Sequence, residues 1–190
     1  LFRPLEIEGA YSFEPKVWTD GRGHFFEGYK ESLLHKHGVE FTVRQSNSST
    51  SAKGVIRGVH FTESPPGQAK FINCVLGEIW DVVVDLRRSS RTFGKWQGIN
   101  LLGGSGAGVF IGPGLGHAFL SLQEGSVVSY LSSTEYSPEI EHQINPFDEA
   151  LAIDFQAAAE ARNISSFTLS DKDRTAQSLQ TAKIIGILPN

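Results

Sequence analysis

Glycine and proline recur 20 and 8 times in 190 residues. They cut the chain into short runs, and these runs carry the β-branched and aromatic residues that favour a pleated backbone. Strands are predicted at Ala10–Trp18, Gly23–Glu27, Phe41–Thr50, Gly54–Thr62 and Ala69–Leu76. More are predicted at Glu78–Leu86, Lys95–Leu102, Gly108–Ile111, His117–Gln123 and Ser126–Ser133. Gly77 marks a tight turn between two of them, and Gln123-Glu124-Gly125 marks another. Many short strands at spacings of roughly 8–12 residues predict an all-β sandwich or barrel. Two helices are expected beside it. Tyr29–His37 stops at Gly38, and a second helix opens on the capping box Ser170-Asp171-Lys172-Asp173 and runs toward Lys183. No internal repeat or low-complexity segment interrupts the chain.

Composition narrows the class further. A chain of 190 residues with 39% hydrophobic and 20% charged side chains can bury one substantial core, so a single domain over residues 1–190 is expected. No apolar run approaches the roughly 18 residues of a membrane span, and the N-terminal residues lack the order of a secretory signal. No membrane partner and a cytoplasmic location are the resulting expectations. The lone Cys74 has no disulfide partner, which fits a reducing compartment. A net charge of -4 argues against a general nucleic-acid surface, so any phosphate site must be local.

The chemistry concentrates in Gly54-Val55-Ile56-Arg57-Gly58-Val59-His60-Phe61, with Lys70 following the Pro65-Pro66-Gly67 turn. An imidazole can take a proton from carbon near neutral pH, and fixed cations can hold an anionic substrate or the enolate left by proton loss. Regular strand alternation would turn Arg57 and His60 to opposite faces. Gly58 offers a bulge that would bring both to one face.

With these residues placed, the chain resembles the dTDP-4-dehydrorhamnose 3,5-epimerases and related nucleotide-deoxysugar epimerases, from about Leu5 to Asp173. The resemblance rests first on Asp20-Gly21-Arg22-Gly23-His24-Phe25-Phe26-Glu27, Gln45-Ser46-Asn47, Arg57-Gly58-Val59-His60 and Gln68-Ala69-Lys70. It continues through Gly77–Arg87, Thr92-Phe93-Gly94, Gly116-His117-Ala118-Phe119, Tyr130 and Ser170–Asp173. It implies a cupin-type jelly roll (a double-stranded β-helix) with short flanking helices. It further implies a homodimer with no metal or organic cofactor, acting on a dTDP-linked 4-keto-6-deoxyhexose. By position, His60 matches the general base, Asp173 its carboxylate partner, Lys70 the residue beside the enolate and Tyr130 the acid on the other face. Arg57 and His117 match the sugar and phosphate lining, and Arg22, Phe25, Glu27, Gln45 and Asn47 match the nucleotide region.

Each residue also has a plainer explanation. Asp173 sits where a capping box alone would place an acid, Tyr130 could be a packing aromatic, and Arg22 could decorate a turn. Asp81 and Asp85 share a strand face, either buried and hydrogen-bonded or lining the barrel mouth; they stay outside the catalytic set. A metal-dependent cupin would want two closely spaced histidines, yet Phe61 and Thr62 follow His60, and His35 and His37 lie on opposite flanks of a short helix. The segments Asn145-Pro146-Phe147-Asp148 and Ile153-Asp154-Phe155 depart from the tryptophan-rich pattern of the family. Thr62–Gly67 resembles the antibiotic-sugar members more than those making rhamnose, which implies a secondary-metabolite enzyme and leaves inversion of C3 alone or C5 alone open beside inversion of both. Three classes of function are therefore compatible with the sequence: an epimerase, a sugar-nucleotide 3,4-ketoisomerase or non-catalytic binder on the same fold, and a metal-dependent oxygenase.

Overall fold

A computed structural model describes residues 1–190. Strands β1 (Phe2–Pro4), β2 (Ala10–Phe13), β3 (Val17–Asp20) and β4 (Gly23–Phe26) precede helix α1 (Glu31–Lys36). The central strands are β5 (Gln45–Ser51), β6 (Ile56–Thr62), β7 (Lys70–Leu76), β8 (Glu78–Asp85), β9 (Trp96–Leu102), β10 (Gly108–Ile111), β11 (Leu115–Ser121) and β12 (Ser126–Ser132). Strand β13 (Glu141–Gln143) and helices α2 (Phe155–Glu160), α3 (Asp171–Arg174) and α4 (Leu179–Ile184) follow. No helix is long and apolar enough to cross a membrane.

Alternation sorts these strands into a jelly roll of two antiparallel sheets. One has the order β1-β2-β10-β7-β12-β5 and the other β13-β6-β11-β8-β9. Ile72, Cys74, Val109 and Val128 of the first meet Ile79, Val83, Leu115 and Phe119 of the second in a shared apolar layer. Residues one position along point outward. Val82, Val84, Ala118 and Leu120 face a cluster completed by α2 and α4, while Phe13, Phe71 and Phe110 pack beneath α1. Full burial of each such side chain contributes about 1.5–3 kcal/mol. The pleat therefore fixes which residues of each strand can reach the space between the sheets.

Several boundaries differ from the sequence-based expectation. The run Ala10–Trp18 divides at Glu14-Pro15, because proline cannot donate to a ladder, and β3 pairs only with β4. Phe41 is buried under α1 instead of pairing, so β5 begins at Gln45. The expected helix from Ser170 to Lys183 breaks after Arg174, where Ile144 forms a parallel bridge with Gln177 and the Gln177 carbonyl accepts from the Asn145 N–H; Ser178 then caps a new helix. Three short elements carry little periodicity and were not expected: β1, β13 and α2, the last capped by Asp154, whose side chain accepts from the Ala157 N–H.

Candidate active site

A cavity of about 450 Å³ opens between the two sheets, within the usual range for a small-molecule site. Arg57 and His60 from β6, His117 and Phe119 from β11 and Glu141 from β13 form one wall. The facing wall carries Lys70 from β7, Tyr130 and Ser132 from β12, and Gln45 and Asn47 from β5; Gln68 and Tyr136 complete the lining. This wall is a register pattern. Tyr130 pairs with Asn47, while Ser132 pairs with both Gln45 and Lys70, so all five share one face.

Gly58 forms the bulge that its place in the strand predicts. His117 pairs with His60 and Phe119 with Arg57, so three steps along β6 match two along β11. The extra residue restores Arg57 and His60 to one face, while Ile56, Val59 and Phe61 go to the outer cluster. Arg57 is then tied to β5, donating from Nε to Ser51 Oγ at 3.1 Å and from a terminal nitrogen to the Thr50 carbonyl at 3.2 Å.

His60 Nε2 lies 2.7 Å from Asp173 Oδ1. The carboxylate is almost wholly buried, whereas the imidazole keeps 30% of its side chain exposed. Ser170 Oγ accepts from the Asp173 N–H at 3.0 Å, so the capping box and the dyad coexist. Burial pushes the Asp173 carboxyl up, but hydrogen bonding and charge attraction to His60, with help from Ser170 and the Gly58 backbone, bring it below the ordinary aspartate value. An ionised Asp173 accepts Nε2–H and leaves Nδ1 as the basic ring nitrogen.

Across the cavity, burial pulls the Lys70 ammonium below its ordinary value, and the charge of Glu141 opposes that. Burial raises the Tyr130 phenol above its ordinary value against the pull of Arg57, so it keeps its proton at neutral pH. Gln45 Nε2 donates to Asn47 Oδ1 at 2.9 Å, and Gln45 Oε1 accepts from the Tyr136 N–H at 2.8 Å. Together these groups set an imidazole on one wall opposite a proton-bearing phenol on the other.

Of the residues singled out from sequence, His60, Asp173, Tyr130, Lys70, Gln45, Asn47, Arg57 and His117 converge here. Arg22, Phe25 and Glu27 do not reach the cavity of their own chain. They belong to the β3–β4 hairpin and its exit, where Arg22 pairs with Asp20 at 2.6 Å, Glu27 pairs with Lys30 at 2.7 Å and Phe25 is 67% exposed. Glu141, Gln68, Ser132, Phe119 and Tyr136 join the lining without having been singled out. Of the two open aspartates, Asp85 is structural: it accepts from Arg87, Ser90 and Thr92 in the β8–β9 connection. Asp81 instead pairs with His117 at 2.7 Å, a role signalled by a carboxylate alternating with Ile79 and Val83.

A family model described as dTDP-4-dehydrorhamnose 3,5-epimerase matches residues 4–181. A dTDP-4-dehydrorhamnose 3,5-epimerase of Mycolicibacterium smegmatis is 43% identical over 188 residues, which is 98% of this chain and 90% of that protein. The rmlC epimerase of Mycobacterium tuberculosis superposes with a TM-score of 0.94 at 39% identity, over 100% of this chain and 94% of the other. ChmJ, a 3'-monoepimerase from Streptomyces bikiniensis solved in complex with dTDP-quinovose, gives a TM-score of 0.89 at 42% identity, over 99% and 92% of the two chains. With its jelly roll and its full-length likeness to these proteins, the chain belongs to the dTDP-4-dehydrorhamnose 3,5-epimerase family of isomerases.

Proposed function

We propose that the cavity inverts C3, C5 or both in a dTDP-linked 4-keto-6-deoxyhexose. The observation that carries this reading is the placement of His60 and Tyr130 on facing sheets, with a space for a small ring between them. Inversion beside a ketone needs proton removal from one face and proton return from the other. His60 Nδ1 takes the carbon-bound proton, and Asp173 stabilises the imidazolium that forms. Electrons from the C–H bond pass into an enolate, and Lys70 faces the charge developing on its oxygen. Tyr130 then gives its O–H proton to the same carbon from the opposite side, the ketone reforms, and solvent resets the imidazolium and the phenolate. Arg57 and His117 line the sugar and phosphate part of the site.

The hairpin β3–β4 gives this reading its second component. Trp18 and Phe25 are 43% and 67% exposed, and all four residues of β3 are exposed. A second copy of the chain in a homodimer would cover that surface and receive Arg22, Phe25 and Glu27 at its own cavity, where a nucleotide needs an aromatic face and a guanidinium for its phosphates. Proton NMR with dTDP-4-keto-6-deoxyglucose in deuterated water tests the chemistry. Deuterium should wash into each carbon that is inverted; product formation with no label at C3 or C5 rules the mechanism out.

A further inference from the structure

The cavity contains a second histidine–carboxylate pair to which the chemistry above gives no mechanical part. His117 Nε2 lies 2.7 Å from Asp81 Oδ2. Asp81 is fully buried, and its Oδ1 has no hydrogen-bond partner. Its strand neighbours on that face, Ile79 and Val83, belong to the apolar layer between the sheets. A carboxylate there is unfavourable unless a specific partner compensates it, and His117 is the one partner present. His117 is also the direct register partner of His60, so the two imidazoles stand side by side on one wall, each held through Nε2 and each with Nδ1 left for the cavity.

The two rings differ in depth. The His117 side chain is 10% exposed against 30% for His60. A sugar ring between the sheets offers the shallower imidazole the C–H bond beside the ketone, and the ketone oxygen, which projects beyond the ring, can reach the deeper one. We propose that His117 carries a hydrogen on both ring nitrogens, giving Nε2–H to the Asp81 carboxylate and donating from Nδ1–H to the ketone oxygen as it becomes an enolate, and that Asp81 is the positioning residue that holds the ring in this form. His117 keeps both hydrogens throughout; only His60 and Tyr130 exchange protons with carbon. The inference rests on the epimerase reading and assigns Asp81 a place in it.

Asp81→Asn keeps the shape of the side chain and removes its charge. The expected result is a kcat lower by about 10–100-fold with KM within about twofold, and hydrogen–deuterium exchange slowed by the same factor at every carbon that exchanges. Loss confined to one carbon would overturn the proposal and make His117 a base for that carbon; unchanged kcat would make the pair structural. Nitrogen-15 NMR of His117 decides independently of the variant's folding. Hydrogens on both ring nitrogens, with Nδ1 shifting when dTDP-4-keto-6-deoxyglucose is added, support the proposal, and an Nδ1 without hydrogen in the complex defeats it. Wild-type protein that exchanges no sugar proton would overturn the epimerase reading instead, while the Nε2 resonance would still report on the Asp81–His117 bond.

Discussion

Gly58 packs on Ala118 with no room for a methyl group. A Cβ built on Gly58 would lie 2.5 Å from both Cα and Cβ of Ala118, and the glycine adopts φ +126°, where an L side chain is strained. Relief would require β6 to move off β11, and β6 carries Arg57 and His60. Gly58→Ala is therefore expected to cost about 2–3 kcal/mol, a fall in Tm of roughly 5–10 °C, together with most of the activity. Calorimetry and a turnover assay check it, and a variant with wild-type Tm would mean that the bulge tolerates an ordinary residue.

Asp173 should leave a signature in the pH dependence of stability. Its folded-state pKa lies below the ordinary value of 3.8, so the dyad's contribution is present above that value and is lost as pH falls through the lowered one. Asp173→Asn should be less stable than wild type at pH 7, and the two should converge in acid. Activity should drop by tenfold or more as the His60 ring loses its partner. Urea titrations at neutral and acid pH make the comparison; parallel loss in both proteins would show that Asp173 is not the group responsible.

Tyr130→Phe removes the proposed acid and leaves the proposed base, His60, intact. Inversion should slow by about 10²–10⁴-fold, while deuterium exchange at the first carbon attacked should fall much less, because proton abstraction comes earlier. Equal losses in both measurements would point to a packing defect.

Lys70 sets function against stability. Burial disfavours its ammonium, so replacing it by a long apolar side chain should relieve a destabilising charge. Lys70→Met is expected to gain about 1 kcal/mol, or roughly 2–4 °C in Tm, and to lose about 10²–10³ in kcat if the ammonium faces the enolate. A destabilised Lys70→Met would show that the amine is well solvated in the folded protein.

The sheets were legible because turn glycines and inward-facing apolar residues repeat along the chain, and β7 and β8 occupy nearly the spans expected. Chemistry confined to β6 was legible as well, with Gly58 signalling the bulge that aligns Arg57 with His60. Glu141 and Ser132 gave no local sign, since their place in the cavity follows from strand register, whereas Gln68 and Phe119 stood inside quoted motifs with no role of their own. Ile144–Gln177 pairing, a contact between distant segments, broke a helix that capping signals alone would have extended. Arg22, Phe25 and Glu27 carry a recognisable motif whose location in a projecting hairpin depends on the packing of the whole fold.

The two side chains proposed to exchange protons with the sugar ride on separate sheets, so the gap between them is a property of the whole sandwich. Ile72, Val83 and Val128, which keep those sheets apart deep in the interior, act as the stop of a caliper whose jaws are His60 and Tyr130. Trimming or thickening that stop would change the reach of each jaw toward the sugar while leaving every polar group in place, a route by which a remote aliphatic change could redirect which carbon is turned over.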